Sequence, residues 1–547
     1  MFAGLGVGNM SVSGAGTETR PPINSLDKLA PFGWTGSLLL ILGGLAVSFF
    51  LFGFWYPFWR MADQDILLVY DALLQNASLP REIVLHPAHL TILILSRTYR
   101  LLHGLGLLDA YSLSSLPPAR DVNAFNQAWT GLVQIARLTS LATVLVYVTA
   151  FGFLLRRLVG DWRAAALGMF AVAYSGGIAM SVRSVKPEML AASLIATALL
   201  VLLIAARSPR MSARPLLVGA AALLGTLALD NKIQGIFLLA ALPLLLLPFG
   251  EASDKDSYWR QKRAAWALAA IVGAALLAAA AAMPLVMQGL FAAPSVRIVK
   301  PLPIFGMIGA PEALLAIWIG LGMLAFGLIW RVPMAEGLAA AAAIICGVAL
   351  GLLPLYISRE TSVVALIITP LDSLYGYVSD PALECVRQGG CKMSFASALG
   401  WLKEMLIQHS FFLKTTPRPA IFLEWCVISA AVYAVRRGEY KLALQVVFLI
   451  GAAMAIDTLE AARALRQDYF QFTDPLIIIA ATLLIAKVSA LQYGRWTYPI
   501  GAALIGLHIV FSQAEPIKHV LKRSGPEGDC VFLNNLQRME PFPFCRS

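Results

Sequence analysis

The chain contains little charge. Asp, Glu, Lys and Arg make up 13% of its 547 residues, whereas soluble domains carry about 25%. Hydrophobic residues account for 59% of the sequence, and its mean hydropathy is +0.74. The sequence also lacks a Walker A motif, a G-x-G-x-x-G motif in a βαβ setting, an H-E-x-x-H motif and a zinc-type cysteine cluster. Together these features exclude a soluble globular protein, and they predict neither a cofactor nor a bound metal.

The sequence contains long apolar runs with few charged residues. They are about twenty residues long, which is the length that a hydrocarbon core of about 30 Å demands of a helix. The pattern predicts an all-α polytopic integral membrane protein. The segment before the first run lacks the features of a cleavable signal peptide, so that run is expected to remain as an anchor. About 13 transmembrane helices are predicted, near residues 37–56, 132–155, 164–181, 188–206, 215–230, 233–249, 264–284, 312–330, 337–357, 419–435, 441–457, 475–490 and 497–513.

The net charge of +11 reflects topology rather than nucleic-acid binding, because the basic residues lie mainly in short loops between the runs. Alternate loops are basic, and the positive-inside rule assigns them to the cytoplasm. The long loops fall on the opposite side. The sequence therefore predicts a cytoplasmic N-terminal tail (1–36), a transmembrane domain (37–513) with external loops at 57–131 and 358–418, and an external C-terminal tail (514–547).

The six cysteines provide an independent check on this topology. Two of them fall within predicted spans, where cysteine behaves as a small buried hydrophobic residue. Cys385 and Cys391 share one predicted external loop, and Cys530 and Cys545 share the external tail. Disulfides persist on the oxidising side of a membrane, so two local bridges, Cys385–Cys391 and Cys530–Cys545, are predicted.

An acidic cluster directly follows the first predicted span. It contains Asp63, Asp65, Asp71, Arg81, Glu82 and His86. From Asp63 onward the chain is predicted to be helical, because one apolar face recurs at helical spacing, at Ile66, Val69, Tyr70, Leu73 and Leu74. Asp63 lies one turn before that face and Asp65 turns away from it, since residues two apart do not share a helix face. At most one of the two acids is expected to point into a pocket, and replacing Asp65 is expected to matter less than replacing Asp63.

Later segments also place charge at the predicted external ends of spans. These residues are Arg183, Lys186 and Glu188, then Asp230 and Lys232, then Arg463, Arg466, Tyr469 and Asp474. The basic ones either bind a phosphate or reach to lipid headgroups as anchors. Glu424 and Asp457, near span ends, are costly in a membrane and are further candidates. The remaining histidines have no partners in sequence and are expected to be structural or solvated, namely His103, His409, His508 and His519.

The motifs of the first long loop resemble motifs of a known family. The acidic motif Asp63-Gln64-Asp65 is followed by His86-Pro87-Ala88-His89-Leu90, which opens a predicted interfacial amphipathic helix. An acidic motif just after the first span, followed by a His-Pro or Lys-Pro motif, resembles the GT-C glycosyltransferases. More specifically, it is similar to the branch of protein O-mannosyltransferases and bacterial aminoarabinose transferases that modify lipid A. That branch usually has Asp-Glu and a second proline, and this sequence departs from both.

The resemblance implies a GT-C-like bundle with interfacial helices in the first external loop. It also implies a transferase that moves a sugar from a polyprenyl-phosphate carrier to an acceptor hydroxyl of a cell-envelope glycan, lipid or protein. The transfer would be a single inverting displacement on the periplasmic, external face of the bacterial inner membrane, with Asp63 or Asp65 as the base. The implied donor-phosphate ligands are His86, Lys186, Lys232, Arg183 and Arg466. The implied substrate-binding residues are Tyr70, Glu82, Asp230 and Tyr469.

The partners implied are the lipid-linked donor, the acceptor and membrane lipids, without nucleic acid. Two alternatives remain at this stage. A lipid or polysaccharide transporter or flippase would explain the number of spans and the intramembrane charges, but not the acidic first loop. An oligosaccharide ligase or polymerase would share the lipid donor and would transfer a whole glycan rather than one sugar.

Overall fold

The computed structural model describes residues 30–82, 88–208, 213–252, 310–358, 395–410, 418–460, 467–489, 494–521, 530–534 and 536–545, with the isolated residues 267 and 270. Within these ranges the regular structure is helical and includes no strand. The α-helices are α1 Ala30–Phe49, α2 Leu67–Asn76, α3 His89–Gly104, α4 Val122–Val159, α5 Trp162–Ala173, α6 Gly176–Ser181, α7 Pro187–Arg207, α8 Arg214–Asn231, α9 Gly235–Leu246, α10 Ala310–Ile329, α11 Met334–Ser358, α12 Phe395–Gln408, α13 Ile421–Arg436, α14 Tyr440–Glu460, α15 Gln467–Ser489, α16 Gly494–Ser512, α17 Ala514–Leu521 and α18 Cys530–Leu533.

Seven of the described helices are long and apolar enough to cross a membrane, and three shorter ones are also apolar. The prediction of an all-α polytopic membrane protein is therefore confirmed. The number of thirteen spans and the domain boundaries stay predictions, and the run at 264–284 lies outside the described residues. The most buried of the long helices are α7 and α15, each with 72% of its apolar window inside the protein. The helices that pack around α15 are α4, α5, α6, α7, α13, α14 and α16.

One predicted span is divided, and one helix extends beyond its predicted span. The run at 164–181 is two helices, α5 and α6, because Ser175 is extended and the chain turns before the Gly176-Gly177 pair. Helix α4 begins at Val122, ten residues before the predicted span, and it contains 38 residues. At 1.5 Å per residue it is about 57 Å long, which exceeds a hydrocarbon core of about 30 Å. Its first turns therefore belong to the predicted loop 57–131.

The helix ends fall into two groups. At one end, here called the loop end, the last residue of α8, Asn231, donates a hydrogen bond to the carbonyl of Pro187 at the start of α7. At the other end, here called the basic end, Arg207 of α7 donates to the carbonyl of Leu158 in α4 at 2.8 Å. The acidic motif also lies at the loop end, because Asp65 accepts from the backbone amide of Val185 just before α7.

The C-terminal tail packs onto the first loop at the loop end. Cys530 and Cys545 form the predicted disulfide, and the ring of Phe542 contacts Trp129 of α4 at 5.2 Å between centroids. Phe58 and Phe125 complete a buried aromatic cluster there. The tail and the first loop therefore pack against each other, and their external location stays a prediction.

The other cysteines divide into two groups. Cys385 and Cys391 lie outside the described residues, so their bridge stays a prediction. Cys346 and Cys426 are exposed rather than buried. Both belong to the apolar helices α11 and α13, where an exposed surface faces lipid and a thiol behaves as a hydrophobic group.

Candidate active site at the loop end

Asp65 fastens the first loop to the bundle. It lies in a short π-helical segment, Ala62–Ile66, and its side chain is fully buried. One carboxylate oxygen, Oδ2, accepts from Arg137 of α4, at 2.9 Å from Nε and 2.7 Å from Nη2. The other, Oδ1, accepts from the backbone amide of Val185 at 2.7 Å. Both oxygens of Asp65 therefore have partners that tie it to α4 and to the turn before α7.

Arg137 was not singled out in the sequence, because it lies inside a predicted span with no neighbouring motif. Its guanidinium is fully buried and also donates to the carbonyls of Gly53, Tyr56 and Pro57, at 3.3, 2.7 and 3.2 Å. It thus holds the end of the first span and the acidic motif together. An intramembrane arginine with an external acid is the kind of pair that membrane burial requires.

The expectation that Asp65 turns away from the buried face is wrong. The α-helical spacing argument holds from Ile66 onward, where Ile66, Val69 and Tyr70 are fully buried. The argument fails at Asp65 because Asp65 belongs to a π-helical segment. The wider turn of a π-helix changes the direction of successive side chains. Burial raises the pKa of Asp65, while Arg137 and the amide of Val185 oppose that shift. For Asp63 only the backbone is described, within the same π-helical segment.

Asn231 joins three motifs that the sequence presented separately. Its Oδ1 accepts from the amide and the hydroxyl of Thr91 in α3, both at 2.9 Å. Its Nδ2 donates to the carbonyl of Pro187. Its own carbonyl accepts from the amide of Ala88 at 2.9 Å. Asn231 is fully buried, and through its side chain and its backbone carbonyl it connects the His-Pro segment, the start of α7 and the end of α8.

Four charged residues flank these contacts in sequence, Lys186 and Glu188 on either side of Pro187 and Asp230 and Lys232 on either side of Asn231. Lys186 and Lys232 are 4% and 1% exposed, Glu188 is 9% exposed and Asp230 is fully buried. Lys232 forms an ion pair with Glu188. We call the set Asp65, Arg137, Lys186, Glu188, Asp230, Asn231 and Lys232 the Asn231 network. It brings together four of the predicted site residues, namely Asp65, Lys186, Asp230 and Lys232.

Three other predicted residues lie further out. The hydroxyl of Tyr70 donates to Glu82 at 2.8 Å, and Arg538 of the tail pairs with Glu82 at 3.3 Å. Burial, followed by the hydrogen bond to Glu82, raises the pKa of Tyr70, so the phenol stays protonated. Arg183 donates to Ser48 of α1 at 2.9 Å. Tyr70 and Glu82 thus hold the tail on the first loop.

The remaining predicted residues are only partly described. Tyr469 is half-buried at the start of α15. His86 and Arg466 lie outside the described residues, and so does the side chain of Asp63. In the part of the chain that the structure describes, no group of three or more His, Cys, Asp or Glu residues is arranged to hold a metal ion.

A second buried charge network lies at the same end, between α13, α14 and α15. Arg418 is fully buried and pairs with Asp457, and with Asp474 at 2.7 Å. His409 contacts Glu424 at 2.7 Å and Asp457 at 3.1 Å. We call these five residues the Arg418 network. The prediction that His409 is structural or solvated missed these carboxylate partners.

The protonation of His409 follows from these contacts. Burial lowers the pKa of His409, but the hydrogen bonds that the ring donates to Asp457 and Glu424 outweigh it and raise the pKa to about 9. His409 is therefore a cation near neutral pH. The available signal in the sequence was Glu424 and Asp457, because acids near span ends require cationic partners.

Comparisons with known proteins add one similarity. No protein-family model matches the chain, and no curated protein sequence matches it. Among solved structures, the chain is similar to the archaeal oligosaccharyltransferase AglB from Archaeoglobus fulgidus, in complex with an inhibitory peptide and a dolichol-phosphate. The sequence identity is 11% and the TM-score is 0.42. The match covers 89% of this chain, which spans 56% of the archaeal protein's length.

Proposed function

We propose that the protein is a GT-C-type membrane glycosyltransferase that takes a sugar from a polyprenyl-phosphate carrier at the loop end of the bundle. The observation that carries the proposal is the convergence of three motifs on Asn231. The three are the His-Pro motif, the start of α7 and the end of α8, which precedes Lys232. The acidic motif, the other part of the resemblance, is tied through Asp65 to the amide of Val185, one residue before Lys186.

The lysines of the Asn231 network suit an anionic lipid phosphate. Two unit charges 4 Å apart attract each other by about 4 kcal/mol at an effective dielectric constant of about 20. Lys232 is already held near the site by Glu188, and its flexible ammonium can exchange that partner for a phosphate. Lys186 and Lys232 would therefore stabilise the charge that develops on the leaving phosphate.

The base in this proposal is Asp63. Asp65 uses both carboxylate oxygens in contacts with Arg137 and Val185, so it acts as a positioning residue for the segment that contains Asp63. In the reaction, the acceptor oxygen forms a bond to the anomeric carbon as its proton passes to Asp63. The bond between that carbon and the phosphate oxygen breaks, and the oxygen keeps the electron pair. The polyprenyl phosphate leaves with one additional negative charge, and the configuration at the anomeric carbon is inverted.

The proposed location follows from topology. The positive-inside rule places the basic end in the cytoplasm, so the loop end faces the outside of the inner membrane. There the donor would be lipid-linked, because nucleotide-activated sugars are normally confined to the cytoplasm. The acceptor would be a hydroxyl of a cell-envelope glycan, a lipid or a protein.

The test is transfer by the purified protein in nanodiscs. Polyprenyl-phosphate monosaccharides labelled in the sugar should lose the label to an added acceptor extract, with stoichiometric release of polyprenyl phosphate. Asn231→Leu should abolish transfer, because it separates the three motifs. Asn126→Leu is the matched control, since the side-chain oxygen of Asn126 accepts no hydrogen bond among the described residues.

Two results would overturn the proposal. In liposomes, movement of the intact donor across the bilayer without cleavage of its sugar–phosphate bond would indicate a transporter. Transfer only from donors that carry an oligosaccharide would indicate a ligase or polymerase.

A further inference from the structure

The basic end contains an apolar groove that the proposed function does not use. The groove lies between α1, α5 and α16 and has a volume of about 590 Å³. Its walls are Gly36, Leu40, Ala166, Phe170 and Ala502, with other apolar neighbours. Helices α1 and α16 are both candidate membrane spans. The groove therefore opens toward the hydrocarbon of the bilayer.

The groove extends over about half of the membrane thickness. Along α5 its lining runs from Trp162 to Phe170, a rise of about 12 Å at 1.5 Å per residue. Half of a hydrocarbon core of about 30 Å is about 15 Å. The groove is therefore long enough for most of one chain in a single leaflet, the one at the basic end.

A polar cavity adjoins the groove at the membrane surface. It has a volume of about 700 Å³, and its lining contains the basic residues Arg207, Lys441 and Lys487 and the acidic residues Asp161, Glu251 and Glu439. Trp162, Arg163 and Tyr498 line both the groove and the cavity. These three residues therefore mark the junction between an apolar space and a polar space, which is the arrangement that an amphiphile requires.

Arg163 is the cation at this junction that has no acidic partner in the part of the chain that the structure describes. Its guanidinium lies over the rings of Trp162 and Tyr498, 5.6 and 5.7 Å from their centroids. The nearby Asp161 instead accepts from the backbone amide of Arg163 at 2.8 Å and from the hydroxyl of Tyr498. By contrast, Lys487 pairs with Glu439 at 3.2 Å.

We infer that the groove and the cavity together bind an anionic glycerophospholipid of the leaflet at the basic end. One acyl chain occupies the groove, the phosphate contacts Arg163, and the rest of the headgroup enters the polar cavity. Arg163 pairs with the phosphodiester that every glycerophospholipid carries. The headgroup is selected by the rest of the polar cavity, whose lining has four basic and three acidic side chains and therefore disfavours the ammonium of a zwitterionic lipid. Length selects the tail, because the groove ends within one leaflet. The site lies at the opposite end of the bundle from the Asn231 network and is independent of the proposed transferase activity.

Glycines in α1 allow a precise way to fill the groove. A Cβ at Gly36, which lines the groove, meets no atom within 4 Å, and a Cβ at Gly43 meets none either. Gly43 lies on the same helix but does not line the groove. Gly36→Leu therefore occupies the groove without disturbing the backbone, and Gly43→Leu is its matched control.

The experiment uses the full chain, delipidated and reconstituted with phosphatidylglycerol and an excess of phosphatidylethanolamine, with bound lipid measured by native mass spectrometry. The wild type and Gly43→Leu should retain one phosphatidylglycerol, whereas Gly36→Leu should retain none. Arg163→Gln should lower the preference for phosphatidylglycerol about fivefold, the share of one cation near an anionic lipid. Arg163→Lys should restore most of that preference.

Three outcomes would overturn the inference. The first is equal retention of both phospholipids by the wild type. The second is equal binding by Gly36→Leu and Gly43→Leu when both elute as the same monodisperse species. The third is displacement of phosphatidylglycerol by polyprenyl phosphate at equal concentration, which would assign the groove to the isoprenoid.

Discussion

The two buried charge networks at the loop end differ in what they connect. The Arg418 network joins three helices of the bundle to one another, through Arg418 and the acids Asp457 and Asp474. The Asn231 network joins the first loop to the bundle, through Asn231 and Asp65. The first network therefore determines how the helices pack, and the second determines where the loop motifs lie.

The cations of the two networks also differ, apart from Arg137, whose guanidinium is used by Asp65 and by three backbone carbonyls. The guanidinium of Arg418 is a rigid planar group whose N–H donors point in fixed directions. It also donates to Thr473 at 2.8 Å, so its donors are largely used by partners within the protein. Lys186 and Lys232 have compact ammonium groups on flexible chains, which can change partners. Buried charge alone thus does not identify a binding site. In our proposal, the type of cation and the elements it connects distinguish the structural network from the one that takes the donor.

The largest expected effect distinguishes the two acids of the first loop. Asp63→Asn should lower turnover by a factor on the order of 10²–10⁴, which is the usual contribution of a general base. Donor affinity should stay within a few-fold, because cations elsewhere hold the phosphate. Turnover and donor binding are measured separately in nanodiscs, with Asp109→Asn as the control, since Asp109 is an exposed acid of the same loop.

Asp65→Asn should instead lower stability, because it leaves Arg137 buried without its carboxylate. A turnover loss for Asp65→Asn at unchanged melting temperature, with Asp63→Asn active, would reverse the two roles.

The next effect tests whether the Arg418 network is structural. Arg418→Gln leaves Asp457 and Asp474 buried without their cation, and breaking a buried pair in this way costs about 3–5 kcal/mol. The midpoint of thermal unfolding in detergent should therefore fall sharply, while the folded fraction keeps its turnover per molecule. Arg437→Gln, at the exposed arginine that directly follows α13, should leave the midpoint unchanged. A stable Arg418→Gln protein that has lost donor binding would place Arg418 in the site.

A pH series should test the Arg418 network through the protonation of His409. The pKa of His409 in the folded protein is about 9, above its ordinary value of 6.5. Stability from the protonated histidine is therefore complete below about pH 6.5 and is lost as the pH rises through about 9, by up to about 3 kcal/mol. Thermal unfolding between pH 6 and 10 measures this loss. His409→Gln should flatten that dependence, and an unchanged slope in this variant would assign it to other groups.

The smallest effect concerns the donor. Lys232→Gln should weaken donor binding by about tenfold to a hundredfold, because a hydrogen bond to a charged group contributes about 1.5–3 kcal/mol. Lys487→Gln at the basic end should bind the donor normally. Binding of a labelled polyprenyl-phosphate sugar is the measurement. Normal donor affinity in Lys232→Gln would show that Lys232 pairs with Glu188 but does not bind the donor.

The regular parts of the fold were predictable because they depend on local sequence. Apolar runs of sufficient length identified the membrane helices, and helical spacing identified the buried face at Ile66, Val69 and Tyr70. The Cys530–Cys545 bridge followed from two cysteines within one external segment. The errors came where the backbone leaves standard α-helical geometry. At Asp65 a π-helix reverses the expected direction, and at Ser175 a turn divides one run into two helices.

The sequence by itself determined the class of protein. It also predicted that basic loops alternate with long loops, and it supplied most candidate residues of the loop end. These features depend on composition and on neighbours a few residues apart. Only the tertiary structure decided the partners: Arg137 for Asp65, Asn231 for Thr91 and Pro187, and His409 for Glu424. Each of these pairs joins different elements. The physical reason is that a buried polar group must find a partner wherever packing provides one, and the position of that partner along the chain leaves no local pattern.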